Sequence, residues 1–109
     1  MSAKRYGSVI KLKPEMYEEY KRLHADAWPE VLAMIHTCNI RNYSIYHKNG
    51  YLFSYYEYIG DDLAADMAKM AADPKTQEWW TFTDPCQEPV ENAAEGEWWA
   101  AMEEVFHTD

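Results

Sequence analysis

Tyr20, His24 and Trp28 recur at intervals of four in the stretch EEYKRLHADAWPEV, residues 18–31. If that stretch is helical, the Tyr20 and His24 side chains share one face. A phenol one turn from an imidazole is a pair that can move a proton, because histidine titrates near neutral pH without special tuning. Pro29 has no backbone N–H and pushes Trp28 out of helical geometry, so the helix must stop or kink just beyond His24. His24 then falls in a last helical turn, where free carbonyls favour the protonated ring. That placement predicts a general acid. A histidine at a helix end often does no more than complete a face; Tyr20 one turn away is what turns the reading toward chemistry.

Aromatic residues supply the remaining candidates. Trp79 and Trp80 are adjacent, so on a helix they diverge by about 100° and only one faces a given core direction. One could pack in the core and the other in an interface; together they could also stack on the C–H face of a sugar or another flat ligand. Tyr43 sits in the middle of a β-rich run, and its hydroxyl needs a partner if buried, which a ligand could be. Trp98 and Trp99 invite the same reading, although packing is the better account of them in a segment with no clear periodicity. Other site types are missing from the sequence: there is no C-x-x-C, no H-x-x-x-H, no glycine-rich phosphate loop and no G-x-S-x-G element. His24, His36, His47 and His107 lack metal-ligand spacing. The residues therefore point to cofactor-free acid–base chemistry on a neutral molecule, in a pocket walled by rings, with no metal.

Composition narrows the setting. The 109 residues suit one domain spanning 1–109. A formal charge of −9 argues against a nucleic-acid partner, whose phosphates need the opposite sign. No basic amphipathic segment suggests a membrane surface, and no apolar run reaches about 18 residues. The polar start MSAKRYGS has no signal-peptide core, so the expectation is a soluble cytoplasmic protein. Cys38 and Cys86 make neither a disulfide framework nor a zinc set and read as free thiols packed as small hydrophobes. Nine Tyr, five Trp and three Phe are a high aromatic load, as expected of a ring-lined pocket or an interface.

The elements that must position these residues follow from periodicity. RYGSVIKL, residues 5–12, alternates as a strand with Tyr6, Ile10 and Leu12 on one face. Pro14 opens a helix that Pro29 divides, with PEVLAMIHT as the second piece. IRNYSIYH (40–47) and YLFSYYEY (51–58) flank Asn49-Gly50, a strong hairpin signal. Both faces of the hairpin carry large side chains, with Tyr43 and Ile45 set opposite Ile40 and Tyr46; a second subunit is the expected cover for the outer face. Gly60-Asp61-Asp62 starts another helix with Leu63, Met67, Met70 and Ala71 on its buried stripe. Asp73 and Pro74 cap and open PKTQEWWTFT. Residues 84–97 read as loop, and MEEVF, residues 102–106, as the last strand. The order β-α-β-β-α-β is the split-βαβ, ferredoxin-like arrangement: α+β, with helices on one face of an antiparallel sheet and the other face free to build a dimeric α+β barrel.

Tyr20-x-x-x-His24-x-x-x-Trp28-Pro29-Glu30, then Asn42-Tyr43-Ser44-Ile45-Tyr46, then Trp79-Trp80, together resemble the L-rhamnose mutarotase family over nearly the whole chain. The resemblance implies a homodimer without metal or organic cofactor that interconverts the α and β anomers of a 6-deoxy sugar. His24 matches that family's proton donor; Tyr20, Tyr43, Trp79 and Trp80 match its substrate-contacting positions. Residues 81–99 look unlike the corresponding stretch of the enteric rhamnose enzymes, which bears on the sugar: L-rhamnose leads, and L-fucose is the other candidate. Two rivals belong to other classes. A dimeric α+β-barrel monooxygenase or haem-binding protein would take up haem or consume oxygen, and a non-catalytic sugar-binding or dimerisation module would leave anomer exchange unchanged.

Overall fold

A computed structural model describes residues 3–109. Strand β1 (Lys4–Leu12) leads through a 3-10 turn at Pro14–Met16 into α1 (Tyr17–Ala25). Trp28 is extended (φ −69°, ψ 133°) and Pro29 begins α2 (Pro29–Thr37), so the proline divides the helical stretch in two as expected. The hairpin follows as β2 (Ile40–Lys48) and β3 (Tyr51–Tyr58). Its turn residues Asn49 and Gly50 both have positive φ, 53° and 81°, as a two-residue turn matched to strand twist requires. Helices α3 (Leu63–Ala72) and α4 (Pro74–Thr83) come next, then a second 3-10 turn at Asp84–Cys86. The carboxylates of Asp62 and Asp73 accept from the amides of Ala65 and Thr76, capping α3 and α4.

All strand pairs are antiparallel in the order β2-β3-β1, with two short pieces on the far edge of β1: β4 (Gln87–Glu88) and β5 (Ala100–Met102). This is the ferredoxin-like pattern with its last strand delivered in two instalments. The expected strand MEEVF is therefore misplaced: pairing ends at Met102, and β4 lies inside the stretch read as loop. Beyond Met102 the chain is held by side chains, Arg5 gripping the Glu104 carboxylate through two nitrogens at 2.8 and 3.0 Å.

Pairing sets which side chains share a face. Ile10 lies opposite Leu52, Ser8 opposite Ser54 and Tyr6 opposite Tyr56, all on the helix-facing side. Strand β2 changes parity midway. Arg41 pairs with Glu57 but Ser44 pairs with Tyr55, so one residue bulges between them, and Asn42 takes up the left-handed conformation (φ 52°). Ile40 consequently shares the inner face with Tyr43 and Ile45 and is not set against them. Phe53, Tyr46 and Met102 project from the outer face and are exposed.

Two apolar clusters join the layers. Ile10, Leu12, Leu52, Tyr20 and Cys86 bind the sheet to α1, and Leu23, Val31 and Trp79 bind α1, α2 and α4 to one another. Both cysteines are free and buried, as expected. Helix α3 departs from its expected stripe: Leu63, Met67 and Met70 are half-buried, Ala71 is exposed, and Asp66 is its one buried residue. The Asp66 carboxylate accepts from Tyr58 Oη (2.5 Å) and Asn39 Nδ2 (3.0 Å), fastening the helix to the sheet by a polar lock.

Candidate active site

Between the sheet and the helices, and flanked by the two clusters, lies a cavity of about 1050 Å³. Tyr20, His24, Tyr43, Trp79 and Trp80 all line it. Helix α1 delivers Tyr20 and His24 with ring centroids 4.2 Å apart, as their one-turn spacing requires. Trp79 is buried with Leu23 and Val31, and stands edge-on to His24 (5.3 Å) and to Trp28 (5.2 Å). Trp80 diverges from it and is half-buried in the cavity wall. Tyr43 stands at the far side, 44% exposed, with its ring against Tyr56. It faces inward because of the bulge at Asn42; regular alternation from Arg41 would turn it to the outer face.

The electrostatics of His24 differ from the helix-end expectation. Its Nδ1 lies 2.9 Å from the Tyr20 carbonyl oxygen, and a carbonyl can only accept, so Nδ1 carries the hydrogen. That contact favours the charged ring. Burial outweighs it and pulls the His24 pKa below its ordinary value. Burial therefore favours the uncharged ring, in which Nε2 holds a lone pair rather than a hydrogen. Burial likewise keeps the Tyr20 hydroxyl protonated far above neutral pH, against the opposing hydrogen bond from Gln87.

Sequence reasoning missed several of the cavity's polar groups. Ser8 and Ser54 meet across β1 and β3 with their hydroxyls 2.5 Å apart. Gln87, fully inside at 4% exposure, touches both Tyr20 and Trp98. A single glutamine in a proline-rich stretch carries no periodic signal, and the register of β4 alone brings it here. Trp98 and Trp99 also reach the cavity wall. Among the described residues, no group of three or more His, Cys, Asp or Glu side chains could hold a metal ion.

A split-βαβ sheet whose helices enclose an aromatic cavity with His24 on its wall defines an α+β domain of ferredoxin-like type. Known structures share the arrangement. An L-rhamnose mutarotase from Formosa agariphila matches with TM-score 0.76 at 23% identity, covering 97% of this chain and 99% of that one. Tetracenomycin F2 cyclase from Streptomyces glaucescens matches with TM-score 0.70 at 13% identity, over 97% of each chain. At those identities the likeness speaks for the fold. Sequence narrows it further: a family model described as L-rhamnose mutarotase matches residues 5–108. The L-rhamnose mutarotase of Oceanobacillus iheyensis is 31% identical over 108 residues, 97% of this chain and 99% of the relative. The chain belongs to the L-rhamnose mutarotase family.

Proposed function

We propose that this protein is a mutarotase that interconverts the α and β anomers of L-rhamnose, with His24 as the proton carrier. The observation that carries this is the placing of His24, its Nδ1 hydrogen spent on the Tyr20 carbonyl and its ring set in an aromatic cavity beside Tyr20 and Trp79, where burial favours the uncharged form. Family membership supports the sugar.

The chemistry is a shift of one proton between two oxygens on the same carbon. Nε2 of His24 takes the proton of the anomeric hydroxyl, the C1–O1 bond becomes a carbonyl, and the bond from C1 to the ring oxygen breaks. The imidazolium so formed delivers its proton to the ring oxygen as that bond breaks; both oxygens start on the same C1, so one nitrogen reaches each. The Tyr20 carbonyl steadies the charged ring while it lasts. Rotation about C1–C2 presents the other carbonyl face, and the steps run in reverse. His24 is thus base first and acid second, where its helix-end position suggested a general acid that starts protonated. Tyr20 and Tyr43 supply hydroxyl contacts, while Trp79 and Trp80 offer flat apolar surface to the C–H face of the pyranose.

The same reading includes a homodimer in the cytoplasm. The outer sheet face bears Tyr46, Phe53 and Met102, and the chain end adjoining it exposes Val105 (86%) and Phe106 (79%). A second copy is the cover we assign to that apolar surface. No helix among the described residues is long and apolar enough to cross a membrane.

Saturation-transfer NMR tests the activity. Irradiating one anomeric proton of L-rhamnose should deplete the other anomer's signal in proportion to added protein. Exchange no faster than in buffer would end the mutarotase reading, and a parallel run with L-fucose reports how strictly the sugar is chosen.

A further inference from the structure

Trp98, Gln87 and Tyr20 form a chain of hydrogen bonds whose polarity has only one solution. Trp98 Nε1 lies 2.8 Å from Gln87 Oε1, and an indole N–H can only donate. The oxygen of the Gln87 amide is thereby assigned to Trp98, so its Nε2 faces Tyr20 Oη at 3.0 Å. An amide nitrogen also only donates, so the Tyr20 oxygen accepts. Its own hydrogen must then point elsewhere, and the ring lies on the cavity wall. The loop is built to hold this arrangement. The Glu97 carboxylate accepts from the amides of Ala94 (2.9 Å) and Ala101 (3.0 Å), closing a tight turn through Gly96 (φ 80°) that directs Trp98 inward. Gln87 and Tyr20 are both more than nine-tenths buried, so neither exchanges partners freely with water.

We propose that Gln87, oriented by Trp98, is a positioning residue that aims the Tyr20 hydroxyl hydrogen at a sugar oxygen, making Tyr20 a committed donor in the site. This rests on the mutarotase reading above. Without Gln87, the tyrosine could spend its hydrogen on a neighbouring acceptor and meet the sugar with a lone pair. The loop carrying Trp98 thus contributes to the site through the amide it fixes.

Reversing the polarity tests the proposal. Gln87→Glu keeps size and shape but offers two acceptor oxygens, one for the Trp98 indole and one to capture the Tyr20 hydrogen. Assayed somewhat above neutral pH to keep the carboxylate ionised, it should lower catalysed exchange about ten- to a hundredfold, the range for a polar group left unpaired. Tyr20→Phe should cost a similar factor, and Gln87→Glu added to Tyr20→Phe should cost nothing more, because no hydrogen remains to capture. Gln87→Glu within about twofold of wild type, or losses that multiply in the double variant, would overturn the proposal. If Gln87→Glu fails to fold, Trp98→Phe takes its place: freed from the indole, the amide can flip, so activity should fall with Tyr20 present and stay level with Phe there. A further arm needs no sugar. The Trp98 indole hydrogen should exchange slowly with deuterium in the wild-type protein and rapidly in Gln87→Met; rapid exchange in the wild type would overturn the chain of bonds. Wild-type protein without catalysed exchange would refute the mutarotase reading itself, and the deuterium result would still judge the hydrogen-bond chain.

Discussion

His24 shows how far a residue pair can be read before its surroundings are known. The four-residue spacing to Tyr20 and the proline beyond Trp28 were enough to bring two rings onto one wall of a cavity. The charge state was not legible, because burial depends on what packs from elsewhere, here Trp79 of α4. The sign of a pH profile decides between the two roles. An uncharged base must be present at the start, so catalysed exchange should hold level through neutrality and decline on the acid side, below the ordinary histidine value of about 6.5. A donor that begins as imidazolium would instead gain rate as pH falls. His24→Asn should abolish the decline along with most of the activity, about 10² to 10⁴-fold. Trp80 is a better probe of sugar stacking than Trp79, whose removal from the cluster with Leu23 and Val31 would also weaken the fold. Tyr43 was legible as a candidate from its residue type and place in the hairpin, though its inward direction depends on the bulge; Gln87 lay beyond the reach of spacing, brought in by strand register alone.

At the level of elements, most boundaries follow from local chemistry: the prolines at 14, 29 and 74 begin turns or helices, and Asn49-Gly50 makes the hairpin turn. The last strand does not, since Ala100–Met102 has little strand propensity and pairs only because Gly7 and Ser8 offer it an edge. Helix α3 is the other surprise, held by Asp66 where an apolar stripe was expected. Tyr58 first, then Asn39, holds the Asp66 carboxyl below the usual carboxylate range. A lowered native pKa stabilises the fold above the unfolded value, about 3.9, and the contribution drains away as pH falls through the native one. Thermal unfolding should therefore show Asp66→Asn less stable than wild type near neutrality, with the gap closing in acid. Gly60 lies against the same lock: an added Cβ would come 2.5 Å from Tyr58 Oη and 2.8 Å from Asn39 Nδ2. Gly60→Ala should cost about 1–3 kcal/mol by overpacking, read as a lower denaturation midpoint with activity retained below it. An unchanged midpoint would mean that the lock gives way at no cost.

For the whole molecule, the two sheet faces have separate duties. The inner face encloses the cavity, and the outer one carries the apolar surface assigned to a second copy. Light scattering should give about twice the 12.9 kDa chain mass. Phe53→Asp and Tyr46→Asp together should halve it, since they place charge in that surface without reaching the cavity. A wild-type chain monomeric at micromolar concentration would leave the outer face needing another explanation. The placement of the tryptophans has an optical consequence. Trp79, Trp80, Trp98 and Trp99 line the cavity, and Trp28, the fifth and last, lies 5.2 Å from Trp79. Ultraviolet emission from this protein should thus come almost wholly from the walls of this cavity and the ring beside it. Titrating L-rhamnose should shift and rescale that emission as sugar replaces water beside the indoles, whereas dilution across the dimer transition should leave it nearly unchanged. On the proposed reading, the chain carries a built-in fluorescent reporter that should respond to the sugar and stay blind to a second copy.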